Sequence, residues 1–297
     1  MNVLVTGSNG QLGMELRALA KDSGDRYIFT CLHEAPGVET VLLDVSNKEA
    51  VELVCESEKV DVIINCSAYN DVNKAEEDVQ MADIINHQAP ENLAAAALKT
   101  KAVLIHISTD YVFDGNKNVP YKEDDLTSPL GAYGATKLAG ERGVVESGCK
   151  YFIFRTSWMY SPYRKNFLKT MLSLLKERSS VSVVCDQVGT PTYAADLAAF
   201  LVRLISSRKV KKNFGIYHFS DEGTASWYDF ACSIKRLSGL PGRVEPCLGA
   251  DFPQKAERPH YSVLDKSLVK KTFGVEIPHW LVSLEKCMDK MKKECNC

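Results

Sequence analysis

Six short apolar runs recur along the first half of the chain: "NVLVT", "YIFTCL", "TVLLDV", "DVIINC", "AVLIHIS" and "YFIFRT". Each is nearly continuous in apolar residues, where a strand with one wetted face would alternate. Helical stretches separate them, so the pattern predicts parallel strands joined by helices, a sheet covered on both faces. The expected fold class is α/β, a doubly wound parallel sheet with its binding groups outside the carboxyl ends of the strands.

Beyond about residue 160 the alternation loosens. "NFLKTMLSLLKER" and "AADLAAFLVRLISS" read as amphipathic helices, "SVSVVCD" and "GIYHFSD" as strands. "SWYDFACSIKRLSG", "RVEPCLG" and "PHWLVSLEKCMDKMKKE" complete a smaller α+β lobe. The expected division is 1–157 for the sheet domain, with a later return of the chain at about 181–215. Residues 158–180 and 216–297 then form the smaller lobe, and a cleft lies between the two.

Composition narrows the partners. With 297 residues, 45% hydrophobic and 25% charged, the chain can bury a sizeable core. Its formal charge of −2 gives no positive field for a phosphate backbone, so no nucleic acid is expected. The basic runs "RKVKK" and "DKMKK" read as solvated ends. No apolar stretch reaches the roughly 18 residues that a membrane span needs. The ten cysteines are scattered and the chain opens on a strand, which suits reduced thiols in the cytoplasm. Cys295 and Cys297 form a CxC at the tail without a second ligand pair, so they read as a frayed end. The six histidines show no metal spacing, and His106 lies inside a strand.

"VTGSNGQLGMEL" places Gly7, Gly10 and Gly13 between the first strand and the first helix. A tight turn and a helix amino end with free N–H groups suit a pyrophosphate, so the larger domain reads as dinucleotide-binding, Rossmann-like. At the far end of the fifth run, "STDYVF" sets hydroxyls, a carboxylate and a phenol where a buried strand stops. "YGATK" follows, and of twelve tyrosines only Tyr133 has a lysine, Lys137, four positions on. One helix turn brings the two side chains to one face, Cβ atoms about 5 to 6 Å apart. An ammonium there would lower the phenol's pKa from about 10 toward that of a working general acid.

The GxxGxxG spacing together with Thr109, Tyr133 and Lys137 resembles the extended short-chain dehydrogenase/reductase family. That resemblance implies that Tyr133 protonates a ketone oxygen, that Lys137 tunes it and holds the nicotinamide ribose, and that Thr109 positions the carbonyl. It also implies cofactor contacts from Gly7, Asn9, Gly10, Gln11, Leu12 and Gly13, from Asp44 and Val45 after the third strand, and from Ser67, Ala68 and Tyr69 after the fourth. For Asp44 a helix cap before "SNKEAVELV" is an equal alternative. Members that prefer NAD carry an acid at the end of the second strand. Here Cys31 and Leu32 stand in that place and Glu34 follows, which favours NADP(H) over NAD(H), although no arginine stands in that stretch.

"AYNDVNKAEED", "SPLGAYGATKLAGE", "RTSWMY", "DQVGTPTYAADLA" and "RPHYSVLD" extend the likeness to nucleotide-sugar ketone reductases within that family. The implied reaction is reduction of the C4 ketone of dTDP-4-dehydro-L-rhamnose, a dTDP-sugar substrate. Asp110 and Tyr111 would meet sugar hydroxyls, Trp158 would pack on the hexose or else fill the core between the lobes, and Arg258 would hold the diphosphate or else form a structural ion pair. Thr109 and Tyr133 complete the substrate contacts. Some such relatives form a homodimer linked by Mg2+ through glutamates. Glu15 matches one of them, but "TYAADLA" carries alanines where another would stand, so Mg2+ stays open. Two alternatives also stay open: an epimerase or other ketoreductase on the same scaffold, and a non-catalytic regulatory subunit of the methionine adenosyltransferase type.

Overall fold

The structure, a computed structural model, describes residues 1–252 and 255–295. Cys297 lies outside the described residues, as does the side chain of Cys295. In chain order the first half contains β1 (Asn2–Thr6), α1 (Gln11–Ala20), β2 (Arg26–Cys31), β3 (Val41–Leu42), α2 (Lys48–Ser57), β4 (Val62–Asn65), α3 (Val72–Glu77) and α4 (Val79–Asp83). A π-helical turn, Ile84–Gln88, leads into α5 (Ala89–Thr100), β5 (Val103–Thr109), α6 (Ala132–Glu146) and β6 (Lys150–Thr156). The second half adds β7 (Met159–Tyr160), α7 (Phe167–Glu177), β8 (Ser180–Val184), β9 (Val188–Gly189), β10 (Thr192–Tyr193) and α8 (Ala194–Ser206). It ends with β11 (Gly215–His218), β12 (Ala225–Ser226), α9 (Trp227–Ser238), β13 (Arg243–Cys247), α10 (Ser267–Phe273) and α11 (Trp280–Cys295).

A seven-stranded parallel sheet runs in the order β11-β6-β5-β4-β1-β2-β3. Its central strands β1, β4, β5 and β6 are buried on both faces, which is why they read as continuous apolar runs, while β3 at the edge is exposed. Val3 and Val5 enter one core with Leu12 and Leu16 of α1, Leu201 of α8 and Phe273 of α10. Leu4, between them, enters the opposite core with Val51 of α2 and Leu93 of α5. Fully burying one such side chain contributes about 1.5–3 kcal/mol. The chain reverses direction across the sheet between β1 and β4, and a crevice opens outside their carboxyl ends.

"SVSVVCD" departs from the expected return of the chain. β8 pairs with β13 in a separate two-stranded sheet, and the seventh strand of the main sheet is β11. α8 and α10 also pack on the main sheet. The smaller lobe has its own core, with Leu168 and Met171 of α7, Phe230 of α9 and Trp280 and Leu284 of α11. A capping box of Ser226 and Asp229 starts α9, and Gly239 in the left-handed region ends it.

Candidate active site

β1 delivers the chain into a turn at Gly7, whose φ of +60° and close approach to the β4 turn both require glycine: a Cβ there would meet the Cys66 carbonyl carbon at 2.7 Å. α1 then begins at Gly10 with no side-chain cap and no acidic residue in its first turn. Its leading N–H groups and the positive end of its dipole are therefore unclaimed by side chains, which fits a pyrophosphate.

From this turn a cavity of about 350 Å³ extends to the end of β5. Gly7, Gly10, Gln11, Leu12, Gly13 and Ala68 line one end; Thr109, Asp110, Tyr111, Tyr133, Lys137, Trp158 and Arg258 line the rest. Residues far apart in sequence thus meet on one wall. Asn9, Asp44, Val45, Ser67 and Tyr69 lie outside it. Asp44 is exposed and accepts from the backbone and hydroxyl of Ser46, while the cap of α2 is Asn47, which accepts from the Ala50 N–H. Val45 is buried in the core.

The Thr109 hydroxyl lies beside the Tyr133 phenol and favours its ionised form. Thr109 also donates to Asp110 Oδ1 at 3.1 Å and accepts from the Tyr111 N–H at 3.2 Å. The Tyr111 ring meets Tyr133 edge-on, centroids 5.7 Å apart. The expected lowering of the phenol's pKa does not occur. Burial pushes Tyr133 up, Thr109 offsets part of this, and Asp110 and Tyr111 push it further up. Lys137 donates instead to the Ile107 carbonyl at 2.6 Å, and burial brings its own pKa down to about 8. The ammonium is held beneath the wall by the strand that carries Thr109.

Across the cavity, burial raises Asp110 to about 7, with the Thr109 hydroxyl that donates to its Oδ1 among the opposing effects. Its Oδ2 is buried without a partner. Tyr111 is pushed up to about 12 by burial, and the nearby Arg258 charge opposes the rise. Trp158 adopts a φ of +45°, rare for a bulky side chain, and stacks on Trp227 with ring centroids 3.6 Å apart and planes 6° off parallel. Phe167 packs against Trp227 at 4.7 Å. Trp227, Phe167 and Lys165 also line the cavity, and no spacing in the sequence ties them to it.

Two buried clusters hold these groups in register, and neither was visible in the motifs. Glu141, one turn after Lys137, accepts from Ser108 Oγ at 2.5 Å and from Arg155 through Nε at 3.0 Å and Nη2 at 2.7 Å. Both ions are at most 3% exposed. Asn86, in the π-helical turn, accepts from the Tyr69 N–H at 2.8 Å and donates to Tyr69 O and Thr136 Oγ1 at 3.2 Å. Gly140 is needed there because a Cβ would lie 2.1 Å from the Asn86 carbonyl oxygen. Glu15 is buried and accepts from Lys290 Nζ at 2.8 Å within its own chain. Among the described residues no group of three or more His, Cys, Asp or Glu is placed to hold a metal ion. Nor is any helix among them long and apolar enough to cross a membrane.

The doubly wound sheet, the glycine turn and a Thr–Tyr–Lys wall at the carboxyl end of β5 define an oxidoreductase of the extended short-chain dehydrogenase class. Comparison with known proteins is consistent with this and goes further. The chain belongs to the family described as RmlD substrate binding domain, whose profile matches residues 1–293. It is similar to the dTDP-4-dehydrorhamnose reductase of Aggregatibacter actinomycetemcomitans, 40% identical over 294 residues covering 95% of this chain and 97% of the relative. The crystal structure of a dTDP-4-dehydrorhamnose reductase from Clostridium acetobutylicum is 41% identical with a TM-score of 0.91, covering 98% of this chain and 100% of that one. That of the Bacillus anthracis dTDP-4-dehydrorhamnose reductase, in complex with NADP, is 36% identical with a TM-score of 0.87, covering 97% and 99%.

Proposed function

We propose that this protein reduces the C4 ketone of dTDP-4-dehydro-L-rhamnose to dTDP-L-rhamnose with NAD(P)H, NADPH being preferred. The observation that carries the reading is that Thr109, Tyr133 and Lys137 line one cavity with the glycine turn. Relatives that cover nearly the whole chain bear the name of this reductase, and one was solved with NADP.

The amino end of α1 would hold the cofactor's pyrophosphate, and Lys137 its nicotinamide ribose; the bound cofactor supplies the hydride. Tyr133 protonates the oxygen that forms as the carbonyl is reduced. A phenol kept neutral by burial is a donor at neutral pH, and the neighbouring Thr109 hydroxyl stabilises the charge that the proton leaves behind. Asp110 Oδ2 and Tyr111 face sugar hydroxyls, and Trp158, backed by Trp227, packs against the apolar face of the hexose. Arg258 meets the diphosphate of the substrate. We place the reaction in the cytoplasm.

The test is consumption of reduced cofactor by the purified protein given the 4-keto nucleotide-sugar, with the product identified by mass. Tyr133→Phe is expected to lower kcat by about 10²–10⁴ while cofactor affinity stays within about twofold. Full activity in that variant removes Tyr133 from the chemistry, and a folded wild type that binds cofactor without turnover removes the reaction.

A further inference from the structure

Arg17 lies on α1, just beyond the glycine turn and beside the end of β2. Its Nη1 donates to the Glu39 carbonyl at 2.6 Å, and its Nη2 to Ser8 Oγ at 3.0 Å, Thr40 Oγ1 at 3.2 Å and Asn9 Oδ1 at 3.4 Å. The guanidinium carbon sits 4.2 Å from the centroid of the Phe29 ring. Every one of these acceptors is neutral. Among the described residues no carboxylate lies within ion-pair distance of Arg17. The Glu39 carboxylate and the Cys31 thiol act on it only through space, against a larger desolvation that pushes its pKa down. An arginine stays charged in such surroundings, so the cluster holds a cation and no anion.

Its position gives the missing anion a chemical identity. The Ser8 N–H donates to Thr30 O on β2 at 3.0 Å, and Asn9 Nδ2 donates to His33 O at 2.9 Å. Ser8, Asn9, Arg17 and Thr40 therefore gather around the end of β2, at Cys31–His33. In a dinucleotide fold that end faces the adenosine ribose, where an acid selects a 2'-hydroxyl and an arginine accepts a 2'-phosphate. No acid occupies Cys31 or Leu32, and the nearest carboxylates in sequence, Glu34 and Glu39, are exposed. A phosphate dianion in place of the hydroxyl and amide oxygens would convert weak bonds to Nη2 into charge-assisted ones.

We propose that Arg17, with the hydroxyls of Ser8 and Thr40, binds the 2'-phosphate of NADPH and is the residue by which this protein selects NADPH over NADH. The proposal rests on the cofactor reading given above. It also accounts for a preference that no arginine at the carboxyl end of β2 explains, because the cation arrives from α1.

The test is calorimetric titration of the whole protein, without sugar nucleotide, using NADPH, NADH and the fragments 2',5'-ADP and 5'-AMP. Wild type is expected to bind NADPH over NADH, and 2',5'-ADP over 5'-AMP, by about tenfold to hundredfold. Arg17→Met is expected to erase most of that ratio while changing NADH affinity by less than about threefold, and Arg17→Lys to keep part of it. Equal affinities in the wild type overturn the proposal. So does an equal loss for both cofactors in Arg17→Met, which would make Arg17 only a brace for the 37–40 turn. If Arg17→Met does not fold, the wild-type fragment ratio and the lysine variant decide. Ketone reduction is assayed separately, so loss of the proposed selectivity would leave the reductase reading intact, and the converse failure is equally visible.

Discussion

Replacing Glu141 by glutamine is the sharpest test of how the wall of the cavity is held. The carboxylate bonds Ser108 of β5 and Arg155 of β6 from its place on α6, and neither ion has appreciable solvent. Glutamine keeps the shape and removes the charge, leaving the Arg155 guanidinium buried with the Glu123 carbonyl, 3.3 Å from Nη1, and the face of Phe113, 5.1 Å away. Removing one partner of a buried pair costs about 3–5 kcal/mol, because the remaining charge cannot recover its hydration. With a urea m-value of about 3 kcal/mol/M, the unfolding midpoint should fall by about 1–2 M. The companion variant Glu141→Leu/Arg155→Met removes both charges and should recover most of the loss. Urea unfolding followed by tryptophan fluorescence and by circular dichroism checks both. A midpoint for Glu141→Gln within about 0.3 M of wild type, or a double variant no more stable than the single one, would refute the reasoning.

Three further outcomes are expected. Asp110 has a raised pKa, so between about 4 and 7 the folded state binds the proton that the unfolded state has released, and wild-type stability falls as pH rises through that window. Asp110→Asn should abolish that fall, a gain over wild type that grows to at most about 4 kcal/mol above pH 7; parallel pH profiles of unfolding free energy would contradict this. His106 is buried and its pKa is held well below 6.5 by burial, so the unfolded chain takes up a proton first as pH falls. Its contribution is lost below about pH 6.5 at about 1.4 kcal/mol per pH unit, and His106→Gln should flatten the acid limb of the stability profile. Gly140→Ala would set a methyl 2.1 Å from the Asn86 carbonyl oxygen, so α6 must shift, at about 1–3 kcal/mol and with a loss of kcat larger than any change in cofactor affinity. Unchanged thermal unfolding and turnover would contradict that packing.

The sheet was readable because burial on both faces writes itself into a strand as an uninterrupted apolar run, as Val3, Leu4 and Val5 show by entering opposite cores. The two stretches that meet in the cavity lining were readable for a different reason. Strand ends and one helix turn are local features, so "STDYVF" and "YGATK" could be placed before their contact was known. What could not be read depends on partners. β8 alternates serine and valine, with Ser182 exposed between buried Val181 and Val183, but its pairing with β13 in a separate sheet could not be read. Arg17 reaches the end of β2 from another element, and Trp227 meets Trp158 across the lobe. The Tyr133 to Lys137 spacing put both residues on the cavity lining but gave the wrong electrostatics, since neither burial nor the Ile107 carbonyl is visible in a tetrad.

The last strand of the main sheet, β11, and two of the helices that cover it, α8 and α10, come from the second half of the chain. A nascent polypeptide that has emerged only as far as β6 therefore holds an open sheet edge and a bare apolar face. The edge is sealed only when β11 has left the ribosome, and the face is fully covered only when α10 has followed. During synthesis the first half must wait for the second, so a fragment ending near residue 160 is expected to aggregate.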